Sequence, residues 1–346
     1  MTVPETTSPT LSTHIIDAII SAARLGWTPD DLKHIAGPHV LPFLHAARLM
    51  ATAAAEGQVA AAWQRQLPTP SRRGRRLPSP EKSADILMRL SRLSPATCAA
   101  ALTDLSALRG HNTSTLSEEQ RRAQQRITGL LKKAESTTFE AEAQTLIAKA
   151  QQLRQRYRIE SVEAETAPGD SVAVRVHLAA PWVRYQFLLL GQVARANSSR
   201  ALLYPDIGIA TVVGHPDDVL HAIELFHSLN RQRAYFMRHS PGAQFARAKR
   251  ETKAYRRSFL TAYAGRIGDL LTEATEDTVV TEQERTSALP VLARRAVAAE
   301  ETFTTLFPHT STMSFQHKYH VGGAVDGMAA AERSHLGSDL TAVGSA

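Results

Sequence analysis

Cysteine is nearly missing from this chain of 346 residues: Cys98 stands alone. That excludes a disulfide framework and any cysteine-rich zinc or iron–sulfur site. Cys98 follows Ser94-Pro95 in an Ala-rich apolar stretch with no activating neighbour, so it is expected to be a buried structural thiol. No apolar run approaches the ~18–20 residues of a membrane span, so no membrane partner is expected. Met1 to Thr10 is polar and has no basic region ahead of an apolar stretch, which argues against a secretory leader and for a cytoplasmic setting. Phosphate-loop, dinucleotide-binding and nucleophile-elbow signatures are all missing. No cofactor is therefore expected, and a non-enzymatic protein is favoured. Aromatics are sparse at 6%.

What is present is ordinary globular composition, 43% apolar and 21% charged, with acids outnumbered: 33 Asp and Glu against 40 Lys and Arg, a net charge of +7. Residues 1–67 read as a helical block. Ile15, Ile16, Ile19, Ile20 and Ala23 have helical spacing, with Ser12 or Thr13 as the cap. Gly26 stops that helix, and Thr28-Pro29-Asp30-Asp31 opens the next with a cap, a first-turn proline and early acids. A third helix is expected over Phe43 to Glu56. Residues 68–80, PTPSRRGRRLPSP, read as a Pro/Arg-rich linker, and 81–116 as a helical connector.

Residues 117–162 carry two capping boxes, Ser117-Glu118-Glu119-Gln120 and Thr137-Thr138-Phe139-Glu140. Each opens an apolar stripe: Ile127, Leu130, Leu131 and Ala134, then Ala143, Leu146, Ile147, Ala150, Leu153 and Tyr157. Two amphipathic helices joined by a few residues make an αα-hairpin.

Residues 170–335 read as a C-terminal α/β domain. Val172, Val174, Val176 and Leu178 alternate with Ala173, Arg175 and His177 at strand period. A helix over Phe187 to Ala196, a hairpin of Ala201–Tyr204 and Ile209–Val213, and a helix from Gly214-His215-Pro216-Asp217-Asp218 to about Arg238 complete a β-α-β-β-α order. One long helix is expected from Gln244 to Ala274, with Tyr255, Phe259, Tyr263 and Ile267 on its apolar face and Arg247, Arg250, Lys253 and Arg257 along another. Gly322, Gly323 and Gly327 would permit close packing near the end, and residues 336–346 read as a frayed tail. The fold class is α+β, mostly helical.

The segment Ile127 to Glu160, ITGLLKKAESTTFEAEAQTLIAKAQQLRQRYRIE, resembles the family called domain of unknown function 2786, over about 123–162. Gly26-Trp27-Thr28-Pro29-Asp30-Asp31-Leu32 is similar to an element of actinobacterial members. Val212 to Val219, VVGHPDDV, is similar to domain of unknown function 7168. The resemblance implies an architecture and no activity, so it brings no catalytic residue with it.

The most informative chemistry is charge. Arg231 to Arg257 holds nine basic residues and one acid, Glu251. Such concentration favours phosphate backbones through counterion release. Contacts are expected from Arg231, Arg238, Arg247, Arg250, Lys253 and Arg257. Tyr235, Phe236, Phe245 and Tyr255 interleave with them and could stack on unpaired bases. The competing reading has the aromatics in the core and Glu273, Glu276, Asp277, Glu282 and Glu284 neutralising the arginines.

Three other constellations are weaker. Ala22, Gly26, Thr28, Leu32 and Ile35 have helix-turn-helix spacing, but Asp30 and Asp31 would face phosphates and repel them. His221, Glu224 and His227 fall at i, i+3 and i+6, and His309, His317 and His320 form a second group. Either could serve a metal-dependent hydrolase, though exposed or hydrogen-bonded histidines explain both sets. A protein-interaction adaptor docking through the hairpin is the third alternative.

Overall fold

The computed structural model describes residues 9–67, 77–95, 102–109, 171–278, 282–315 and 319–334, with positions 118, 122, 126, 129, 130 and 133. The side chains of 9–10, 275–278 and 282–291 are not among them. Most of the linker, Cys98, His317, the tail and all of the hairpin's apolar stripes but Leu130 lie outside this set.

The described chain is mostly helical with one small antiparallel sheet. In order it comprises α1 (Pro9–Arg24), α2 (Pro29–Ala36), a 3-10 turn (Pro38–Val40), α3 (Leu41–Ala54), α4 (Gly57–Arg65) and α5 (Pro80–Leu90). Next come β1 (Val172–His177), α6 (Val183–Ala196), β2 (Arg200–Tyr204), β3 (Ile209–Gly214) and α7 (Pro216–His239). The last elements are α8 (Pro241–Ala248), α9 (Thr252–Thr278), α10 (Glu282–Leu306) and α11 (Val321–Glu332). Strand order is β1-β3-β2. The chain divides into two compact units. The first holds Met1–Asp104, Ala173–His177 and Tyr204–Ile209, and the second holds the rest.

In the first unit, α1 ends where Gly26 takes φ 92°, a conformation that costs a residue without Cβ little. The helix starts at Pro9, so Ser12 and Thr13 lie inside it and do not cap it. Thr28 caps α2 reciprocally with Asp31, and Pro29 occupies the first helical position, where no backbone donor is needed. The core closes on Ile15, Ile19, Leu32, Phe43, Leu44 and Trp63, all fully buried. Indole nitrogens do not go unpaired: Trp63 Nε1 donates to the Trp27 carbonyl and Trp27 Nε1 to the Ser94 carbonyl.

In the second unit, Tyr255, Phe259, Tyr263 and Ile267 are buried on one face of α9, as their spacing predicts. The expected single helix from Gln244 to Ala274 is instead two. Arg250 takes φ 58°, the Glu251 amide donates back to the Ala246 carbonyl and the Arg250 amide to Arg247. This is a Schellman closure with arginine at the position glycine usually fills, so no glycine marks the break in the sequence. The basic side chains therefore turn a corner between α8 and α9 and do not line one helix face.

The packing of α11 on α9 rests on two glycines. A Cβ on Gly323 would overlap the Tyr255 carbonyl oxygen, and one on Gly327 the Phe259 carbonyl oxygen. Backbone cannot swing aside as a side-chain tip can, so Gly327→Ala is expected to cost ~1–3 kcal/mol. Urea unfolding of the variant measures it; an unchanged midpoint would mean that α11 is not held this closely.

Candidate functional site

The basic segment occupies the end of α7, all of α8 and the first turns of α9. Arg231, Arg238, Arg247, Lys249, Arg250 and Lys253 are exposed, and Arg256 and Arg257 are half-buried. Among the described residues, Arg238, Arg247, Lys249, Arg250, Lys253 and Arg257 have no carboxylate within 4.0 Å. Arg238 Nε donates to the Ala234 carbonyl of its own helix. Of the acids expected to neutralise this segment, Glu273 faces Arg266 Nη1 at 2.8 Å instead. Glu276, Asp277, Glu282 and Glu284 lie outside the described side chains.

The interleaved aromatics divide. Phe245 is 72% exposed and Tyr235 39%, so both can meet a base. Tyr255 cannot: it is buried, and its hydroxyl donates to Asp326 Oδ2 at 2.7 Å. Burial, and then that carboxylate, push its phenol well above the usual range. Phe236 is half-buried, with the Arg333 guanidinium 4.9 Å above its ring.

His221, Glu224 and His227 do not come together with a further ligand, and His317 of the second set lies outside the described residues. No group of three or more potential metal ligands comes together among the described residues. Glu224 is held by Arg109 Nε at 3.3 Å. Positions i, i+3 and i+6 also drift around a helix axis, so they do not converge on one point. His320 has a structural task. Its Nδ1 accepts the Gly323 amide as the cap of α11, and its own amide donates to Ser258 Oγ. His309 is exposed.

The first unit contains a charge cluster that sequence reading missed. Asp31, read as an early acid of a helix that would repel phosphates, is 2% exposed. Its Oδ2 accepts from Arg175 Nη1 at 2.5 Å, from the Thr28 amide at 3.0 Å and from Thr28 Oγ1 at 2.8 Å. Its Oδ1 meets His177 Nε2 at 2.9 Å. Burial by itself would raise this carboxyl. The Arg175 charge, the His177 hydrogen bond and charge, and the Thr28 amide outweigh it and hold the group far below the usual carboxylate range. Arg175 also donates to the Gly26 carbonyl and lies 4.8 Å over the Trp27 ring.

His34 stacks on His177 at 4.7 Å, and its Nε2 faces the Gly208 carbonyl. A carbonyl can only accept, so Nε2 carries the proton. Burial, then the His177 charge, lower the proton affinity of His34. The signal for this cluster was local. Thr28-x-x-Asp31 is a capping box, and Arg175 and His177, two apart in β1, share a strand face. The partnership between them was not visible, because about 140 residues separate the two pieces.

Residues 122–161 match the model of a family described as a protein of unknown function, DUF2786. The match covers the hairpin segment and no part of the basic segment. No curated protein and no solved structure matches the chain.

Proposed function

We propose that the protein binds nucleic acid without catalysis, through backbone phosphates, using Arg238, Arg247, Arg250, Lys253 and Arg257 together with Arg231. One observation carries this reading: from Arg238 to Arg257 runs a set of cations, most of them exposed, whose neighbours among the described residues supply them with no carboxylates. Cations left unpaired on a surface are available to polyanions, and each phosphate neutralised releases counterions. Low sequence specificity goes with it, since among the described residues no arrangement of side chains suited to base edges accompanies the charges. Phe245 and Tyr235 favour single strands, whose bases are free to stack. A cytoplasmic setting and a likeness of Val212–Val219 to domain of unknown function 7168 belong to the same reading and add no activity to it.

Fluorescence anisotropy with labelled single-stranded and duplex DNA and RNA, across a salt series, tests it. Affinity is expected to fall log-linearly with salt. Reversing Arg250, Lys253 and Arg257 to glutamate is expected to reduce the slope by roughly 2–3, at ~0.7–0.9 for each phosphate no longer neutralised. An unchanged slope would move the interface elsewhere. No binding at low salt would end the proposal.

A further inference from the structure

Arg233 lies in α7, within the basic segment of the sequence but not on its surface. It is 5% exposed, and its Nε and Nη1 are closed off from solvent without a hydrogen-bond partner. No described residue offers it a carboxylate within 4.0 Å. Arg295, equally buried, has Asp218 opposite it. Two guanidinium nitrogens taken out of water with neither counter-charge nor acceptor are a costly arrangement in a fold. Burial lowers its proton affinity to about 10, with Tyr263 partly opposing, so it is charged at neutral pH.

The surroundings explain which partner would suit it. Tyr263 of α9 reaches the Leu229 carbonyl, one turn before Arg233, and its hydroxyl lies 2.7 Å from Ser334 Oγ. Ser334 Oγ in turn donates to the Ala330 carbonyl. Those hydroxyl protons are committed, so neither hydroxyl offers a free donor. Phe236 is one turn beyond Arg233 on the same side of α7, and it carries the exposed Arg333 guanidinium over its ring. Glu332, the nearest acid in sequence, faces Arg266. Unsatisfied hydrogen-bonding capacity here is thus cationic and planar, with a second arginine over the ring one turn away.

We propose that Arg233 anchors an oxyanion site, taking the carboxylate or phosphate group of a small ligand, with Arg333 at its mouth. A planar guanidinium matches two oxygens of either group better than a point charge would. The site is separate from the nucleic-acid surface and does not depend on it.

Thermal unfolding of the full chain in inorganic phosphate and in acetate, with chloride holding ionic strength constant, tests the proposal. At an anion concentration about five times its dissociation constant, a rise of roughly 2–4 °C is expected. A rise with acetate alone marks a carboxylate ligand, and a rise with phosphate alone a phosphorylated one. Arg233→Met is expected to abolish the rise and to melt no lower than the parent in chloride, because an uncompensated buried charge is replaced by an apolar chain. The triple variant R250E/K253E/R257E should keep the rise. Four results would overturn the site: no response to either anion, a response that survives Arg233→Met, a response lost in the triple variant, or an Arg233→Met protein that melts far below the parent in chloride. The last would show that a carboxylate of the chain itself already faces Arg233.

Discussion

Replacing Asp31 with asparagine is expected to take ~3–5 kcal/mol from the stability of the first unit. The carboxylate accepts from Arg175, from both the amide and the hydroxyl of Thr28, and faces His177. Asparagine keeps the shape but points an amide nitrogen at one of these donors. It also takes the counter-charge from Arg175, whose side chain is 5% exposed and whose contacts with the Gly26 carbonyl and the Trp27 ring carry no full negative charge. Urea unfolding followed by tryptophan fluorescence, with Trp182 of the second unit replaced by phenylalanine, reports on this unit through Trp27 and Trp63. A loss below ~1 kcal/mol, the range of an exposed pair, would show that the cluster is open to water.

Acid should act on the same cluster in two stages. His34 and Asp31 both bind protons less readily folded than unfolded. The unfolded chain therefore takes up more protons as pH falls, and stability drops. The part due to His34 is fully present above its ordinary value of 6.5 and is lost below it. The part due to Asp31 is present above 3.8 and is lost further down. His34→Gln, which keeps a donor for the Gly208 carbonyl, should flatten the first stage and leave the second. Unfolding midpoints measured from pH 8 to pH 3 would reveal a wrong assignment as a first stage that persists in this variant.

The second large effect is asymmetric. Asp218 and Arg295 are each 1% exposed at the side chain, with Nη1 and Oδ2 3.3 Å apart. Asp218→Asn is expected to destabilise the second unit by ~3–5 kcal/mol, because it removes the carboxylate facing a buried guanidinium. Arg295→Met should cost less. Asp218 lies in the first turn of α7, where the helix dipole favours a carboxylate. Guanidinium unfolding of the two single variants compares them directly. Equal losses would mean that the helix end gives Asp218 no support.

Much of this architecture was legible where the rule was local. The capping chemistry at Thr28 and Pro29, the turn at Gly208, the strand period of β1 and the aromatic face of α9 all follow from neighbours within a turn or two. What escaped depends on distant partners. Arg175 and His177 have the alternation of solvent-facing strand residues until Asp31 arrives opposite them. His320 looks like a ligand and is a helix cap. The break at Arg250 escaped for another reason: a charged residue adopted a left-handed conformation that composition rules reserve for glycine. The basic surface was readable as charge. Its corner geometry was not.

The seam between α9 and α11 reverses the usual orientation of an amphipathic helix. Gly323, Ala324, Gly327, Ala330 and Ala331 are turned inward, while Val321, Val325 and Met328 are 66%, 53% and 45% exposed. A hydropathy profile would roll this helix about its axis until the valines met the core. Steric fit overrules oiliness here, since no branched side chain could stand where two carbonyl oxygens press against glycine. A redesign that made the surface of α11 polar would leave its seat untouched. One that enriched its inner face with leucine, the ordinary recipe for a stronger core, would push the helix off.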